Sequence, residues 1–374
     1  MTRTLYPTQD AGPTNWSAAS WSLADDNAKN QAKPDATDTV IVTVNSGAIT
    51  LDEDGHGLQL TMTGYTGTLA MGANDLDIVE DVALDGAITG TGTIYSGGPL
   101  VLTSGMSFDT DITIVMDAPA GSSVIYTNGV PLGPLVINGG AATEFDLSDD
   151  LSCGTVTLTE GVFQPGLNLL SCTGLDIDGG TFTAGEDVTV NGNFSIDGGT
   201  LELAGNKLIV DGSCIFTGGT FANDGGIVRF VGTGNLAIWS PYIPYVEFAA
   251  GSTMTVTGTS RIFSGIDVEA GATLVINASF YVCYNYQPND SLHCEGDVSG
   301  VGPVVIYTTE VSNSPVLDFG SVNVEMFTHG GKTLTQSGAF TCGDLYVHEL
   351  TTNTNVCNLV MSGGAPLTAG VITL

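Results

Sequence analysis

Forty carboxylates, four histidines and seven cysteines are the residues of this 374-residue chain that can do acid–base, metal or nucleophilic chemistry. Their spacing argues for little of it. A glycan-cleaving groove needs two carboxylates roughly 5 to 9.5 Å apart, and among so many acids pairs such as Asp176 with Asp178, or the group Asp146, Asp149 and Asp150, meet that test by chance. His56, His293, His329 and His348 share no metal-ligand spacing, and no Gly-x-Ser-x-Gly nucleophile turn stands out. We therefore assign no catalytic residue, no cofactor and no metal. Asp-Gly pairs at Asp54, Asp85, Asp178, Asp197, Asp211 and Asp224 invite a calcium reading, but the calcium-binding solenoid repeats Gly-Gly-x-Gly-x-Asp in tandem, and this chain has no such tandem. Turn chemistry is the better account of those pairs.

The cysteines follow a rhythm instead of a motif. Cys153, Cys172 and Cys214 fall near equivalent positions of a repeat, and Cys342-Gly343-Asp344-Leu345 echoes Cys153-Gly154-Thr155-Val156. An odd count in that register predicts reduced thiols buried as small apolar groups. Cys283 and Cys294 could close a loop. Binding chemistry is suggested only by two aromatic insertions, Trp239, Tyr242 and Tyr245 around Pro241 and Pro244, and Phe280, Tyr281, Tyr284 and Tyr286 some forty residues on. Trp239, Tyr242, Tyr245, Tyr281, Tyr284 and Tyr286 are the expected contacts for a partner or a sugar ring. The competing reading is that they pack over the side of the fold.

The elements that must position these residues come from an internal repeat. Phe163, Phe182, Leu201 and Phe221 recur at steps of 19, 19 and 20, and three of them follow the same turn, Gly179-Gly180-Thr181, Gly198-Gly199-Thr200 and Gly218-Gly219-Thr220. Glu160-Gly161-Val162 takes the place of the fourth. A period this short is one supersecondary unit that buries its apolar face only by stacking on copies of itself. Between the marks, Val156 and Leu158 alternate with threonines, and Val188-Thr189-Val190 and Phe194-Ser195-Ile196 do the same, a period of two that belongs to strands. Short strands and Gly-Asp or Gly-Asn turns filling about 19 residues are one coil of a parallel β-helix. A β-sandwich also has short, regularly spaced strands, but it has no reason to keep Gly-Gly-Thr-bulky in register. The fold expected is all-β, a right-handed parallel β-helix of roughly 15 to 17 coils with an irregular N-terminal cap. Residues 1–38 form that cap or attachment segment and residues 39–374 one solenoid domain.

Composition agrees. There are 51 Gly, only 13% of residues are charged, and no run approaches the ~18 apolar residues of a membrane span. A net charge of -33 lacks the basic footprint of a nucleic-acid binder. The expectation is no nucleic acid and no membrane, with the acids serving solubility and resisting edge pairing, or facing a cationic partner. Met1 to Pro7 carries one basic residue and no apolar h-region, which predicts synthesis without a Sec signal peptide.

Thr14-Asn15-Trp16-Ser17-Ala18-Ala19-Ser20-Trp21, followed by Pro34-Asp35-Ala36-Thr37-Asp38-Thr39-Val40-Ile41-Val42, resembles the opening segment of β-solenoid structural proteins of bacteriophage virions and bacterial adhesins. The resemblance covers about 40 residues plus the repeat style of the remainder. It implies a non-enzymatic virion component, a capsid decoration protein or a tail fibre or spike, assembled in the host cytoplasm beside other virion proteins, and commonly a homotrimer. A tailspike-type depolymerase that binds or cleaves glycan, and a bacterial surface adhesin, are the alternatives. The strand-like Leu367 to Leu374, with no polar cap after it, predicts that something covers that end.

Overall fold

The computed structural model describes residues 3–7, 14–17, 21–23, 31–222, 225–238, 243–282, 292–308, 311–313, 317–328, 333–336, 340–349, 358–361, 367–370 and 372–373. The chain forms a β-solenoid of about 13 turns, and its coils fall into two compact units, Met1–Glu186 and Asp187–Leu374. Among the described residues there is no helix.

In the first unit the strands build three faces, visited in the same order in each early coil. One face holds Thr4–Pro7, Thr39–Thr43, Gln59–Thr63, Val82–Leu84 and Leu100–Leu102, all paired in parallel. A second holds Thr14–Asn15, Ile49–Thr50, Thr68–Gly72, Ala87–Gly90 and Ser107–Phe108. The third runs from Gly55–Gly57 through Leu76–Ile78, Thr93–Ser96, Thr113–Met116 and Leu135–Asn138 to Leu151–Glu160 and Leu170–Ile177. Period-two alternation puts one apolar column inside each face. On the third face Leu76, Ile94, Ile114, Leu135, Val156 and Leu175 are successive register partners, and all are fully buried.

The sequence ladder lies where the repeat puts it. In the first unit Phe163 pairs with Phe182, their rings meeting edge to face at 5.6 Å; in the second Leu201 pairs with Phe221. All four are buried. The turns before them explain the glycines. Gly180, Gly199 and Gly219, the second glycine of each Gly-Gly-Thr, sit at φ of 64°, 65° and 70°, and Gly161 at 95°. These are left-handed angles that a Cβ disfavours. A Cβ on Gly180 would also lie 2.4 Å from the Gly161 carbonyl oxygen.

The coil is less uniform than a constant 19 residues, and this is why about 13 turns replace the expected 15 to 17. Val82 pairs with Leu100, 18 residues on, but Leu100 pairs with Ile125, 25 on. In the second unit Ile266 pairs with Leu292, 26 on. In the first unit the lengthened coil still closes on the first face, where Leu100 and Val101 pair with Ile125 and Tyr126, while the ladder of the second face ends at Ser107–Phe108.

The parallel register begins inside the segment that the sequence marks off as a cap, because Thr4 and Leu5 pair with Thr39 and Val40. Arg3 fixes that strand by donating from Nε, at 2.7 Å, and from Nη2 to the fully buried Asp38 carboxylate. The outer edge is closed by Trp21–Ser22, which runs antiparallel to Thr4–Pro7. Trp16 and Trp21 are fully buried and stack edge to face at 5.1 Å. Gly55 leaves room for the plug, since a Cβ there would lie 3.0 Å or less from Leu51, Leu76 and Trp16.

Polar side chains stitch coil to coil. Asp149 accepts from the Thr127 amide and hydroxyl and from the Gly129 amide, and Asp150 accepts from the Leu169 amide. Asn74, Asn128 and Asn168 each donate their side-chain amide to a carbonyl at least 21 residues earlier, those of Leu51, Leu102 and Leu147. Asp187 accepts from the Lys207 amide in the second unit. Asp149 and Asp150 are thus engaged with backbone.

Cys153, Cys172, Cys214, Cys294 and Cys342 are buried and reduced. Cys153 and Cys172 are register partners, and burial pushes the Cys172 thiol up to about 12 and Cys342 to about 11. Cys294 donates to the Asp318 carbonyl at 3.0 Å. Cys283 lies outside the described residues.

Two outcomes follow. Gly180→Ala should lose about 1 to 2 kcal/mol or more of unfolding free energy in a urea titration, whereas Ala204→Gly, at a residue that itself sits at φ 51°, should gain about 1 kcal/mol; equal effects of one sign would contradict the turn assignment. With Cys283 and Cys357 replaced by serine, a thiol reagent should label none of the five remaining cysteines in the native protein and all of them in guanidinium. Fast native labelling would contradict the buried placement.

Candidate functional site

Of the aromatic residues singled out in the sequence, Trp239, Tyr242, Tyr284 and Tyr286 lie outside the described residues. Tyr245 and Tyr281 are described, both half-buried, and they stand on different strand ladders. Tyr245 lies between Ile227 and Gly265. Tyr281 lies between Arg261 and Val305, with the Arg261 guanidinium 5.7 Å from its ring centroid, a cation–π distance.

A cleft of about 240 Å³ opens on the third face of the first unit, lined by Asp54, Gly55, His56, Asp75, Asp77, Tyr95 and Asp117. Its residues come from four coils. His56, Asp77 and Tyr95 are register partners in one outward column, and Asp117 directly follows the next strand, Thr113–Met116. His56 faces outward because Gly55 and Gly57 take the inward positions beside the apolar core. Asp54 and Asp75 are engaged with backbone, accepting from the Asp75 amide at 3.0 Å and the Thr93 amide at 2.8 Å. His56 Nδ1 lies 3.5 Å from Asp77 Oδ2. Burial, and then the charge of Asp77, raise the pKa of the Asp117 carboxyl. From Pro34 to Asn206 the chain carries 24 Asp and Glu and no Lys or Arg, so the cleft sits in a strongly negative field.

The cleft places a carboxyl of raised pKa, Asp117, beside the carboxyl of Asp77. Sequence reasoning missed it because no two of its residues form a motif. The readable signal is His56, Asp77 and Tyr95 falling one coil apart, which becomes visible only once the coil lengths are known. Asp176, a candidate in the sequence, lies on the same face paired with Thr157, outside the cleft lining.

The second unit carries a different cluster. Arg229, Glu247, Asp267 and His293 form one outward column of register partners. Lys207 Nζ lies 2.8 Å from Glu247, and Arg229 Nη1 lies 2.7 Å from Glu247 and 2.8 Å from Glu269. Burial would raise the Glu247 pKa, but Lys207 and Arg229 outweigh it and hold the carboxyl below its ordinary range. His293 faces two carboxylates, with Nδ1 2.6 Å from Asp267 and Nε2 3.3 Å from Glu295. His329 lies outside the described residues, and His348 is in the strand Leu345–Glu349. Among the described residues no group of three or more His, Cys, Asp or Glu is placed to hold a metal ion.

No protein-family model, curated protein or solved structure is significantly similar to this chain.

Proposed function

We propose that this protein is a non-enzymatic structural component of a phage virion, a capsid decoration protein or a tail fibre or spike. The observation that carries the reading is where the acids go. Asp54, Asp75, Asp149, Asp150 and Asp187 accept hydrogen bonds from backbone amides. All five reach a neighbouring coil about 20 residues away, so side chains that look available for chemistry serve to fasten the stack. Parallel strands, an apolar interior within each unit and polar stitches suit a long-lived surface element. In this setting the protein is assembled in the host cytoplasm, stands against other virion proteins, and forms a homotrimer.

One observation favours a second reading, a tailspike-type protein that binds or cleaves glycan. Asp117, with its raised pKa, lies beside Asp77 in a cleft, the pairing that acid–base catalysis uses.

Two measurements separate the readings. Labelling of purified particles from a producing culture should find the protein on capsid or tail, and its absence from particles would overturn the structural assignment. Incubation with host capsular or lipopolysaccharide glycans should release no reducing ends. Turnover that falls a hundredfold or more in Asp117→Asn or Asp77→Asn would establish the depolymerase instead.

A further inference from the structure

The outward column of the second unit places like charges side by side. Glu247 and Asp267 are register partners, at a strand spacing of roughly 4.8 Å where equal charges repel. Lys207 and Arg229 balance Glu247, and Arg229 and the Ala250 amide hold Glu269. On the other side of Asp267 stands His293, flanked on its own chain by Glu295. Asp318, on the strand paired beyond Cys294, adds a further carboxylate to this neighbourhood. Among the described residues, His293 is the basic side chain placed against Asp267 and Glu295.

The geometry at the ring is specific. Both ring nitrogens face a carboxylate oxygen, at 2.6 and 3.3 Å. A neutral imidazole has a single N–H and can serve one of them, whereas the imidazolium donates to both. We propose that His293 is a proton-operated clasp: as imidazolium it ties Leu292–Cys294 to Ser260–Val268 through Asp267 and to its own outgoing chain through Glu295, and on losing a proton it leaves adjacent carboxylates with no cation between them.

Burial acts to lower the His293 pKa, but Asp267 and Glu295 outweigh it and raise the value above that of an ordinary histidine. A folded-state pKa above the unfolded one gives a stabilisation that is fully present below the unfolded value and is lost as pH rises through the folded value. The clasp is closed in mild acid and open in mild alkali, opposite in sense to the carboxylate stitches. The coil it closes is the long one of 26 residues between Ile266 and Leu292, where the loop-closure cost is greater than in a short coil.

The Glu295 amide reports on the clasp, because it donates across the coil to the Val268 carbonyl at 2.9 Å. In the full chain, its hydrogen-exchange protection factor should fall roughly two- to fivefold between pH 5.5 and 8.5, the range of a partly exposed ion pair. His293→Gln should flatten that profile while leaving exchange in the first unit unchanged. NMR titration of the wild-type imidazole gives a second readout that needs no destabilising variant. Its midpoint should lie above that of a free histidine and move down in Asp267→Asn. A flat wild-type profile, an equal fall in His293→Gln, or a midpoint at or below the free value would overturn the proposal.

Discussion

Parallel pairing of each strand with its counterpart one coil away is the interaction on which everything else in both units depends. It satisfies the backbone groups that a buried strand cannot leave unpaired, and because side chains alternate, it stacks like on like. A column of Leu76, Ile94, Ile114, Leu135, Val156 and Leu175 is then inside by construction. The same rule has an outward consequence. Charged residues one coil apart become neighbours, so the column Arg229, Glu247, Asp267, His293 is as much a product of register as the core.

Stacking also leaves two problems at the turns and ends, and the sequence answers them with particular residues. Turn amides with no strand partner are met by Asp side chains such as Asp149 and Asp150, and carbonyls at or just past strand ends by Asn74, Asn128 and Asn168. The open core of the first coil is covered by Trp16 and Trp21 over Gly55, and the edge strand by an antiparallel partner. A strongly acidic chain is therefore only partly a matter of solubility. Many of its carboxylates are structural acceptors.

The period was legible because it rests on backbone angles. Gly161, Gly180, Gly199 and Gly219 must recur wherever a left-handed turn precedes the bulky inward residue, and that requirement is written in residue type. Coil length outside the regular stretch was not legible, since a turn of 18 or 25 residues closes on the same ladder. The roles of the acids were hidden for a related reason. Asp146, Asp149 and Asp150 are a chance cluster of acids in sequence, and the hydrogen bonds of Asp149 and Asp150 to residues about 20 positions away become evident only with the register. The cleft around Asp77 and Asp117 is likewise assembled from separate coils, and Trp239, Tyr242, Tyr284 and Tyr286 stay beyond the described residues.

Methyl-to-methyl NOE contacts in selectively labelled protein test the stacking most directly. The account predicts contacts linking Leu135 to Val156 and Val156 to Leu175, each one coil apart. Contacts joining strands adjacent in sequence in antiparallel register, with none along this column, would contradict the solenoid and restore the sandwich.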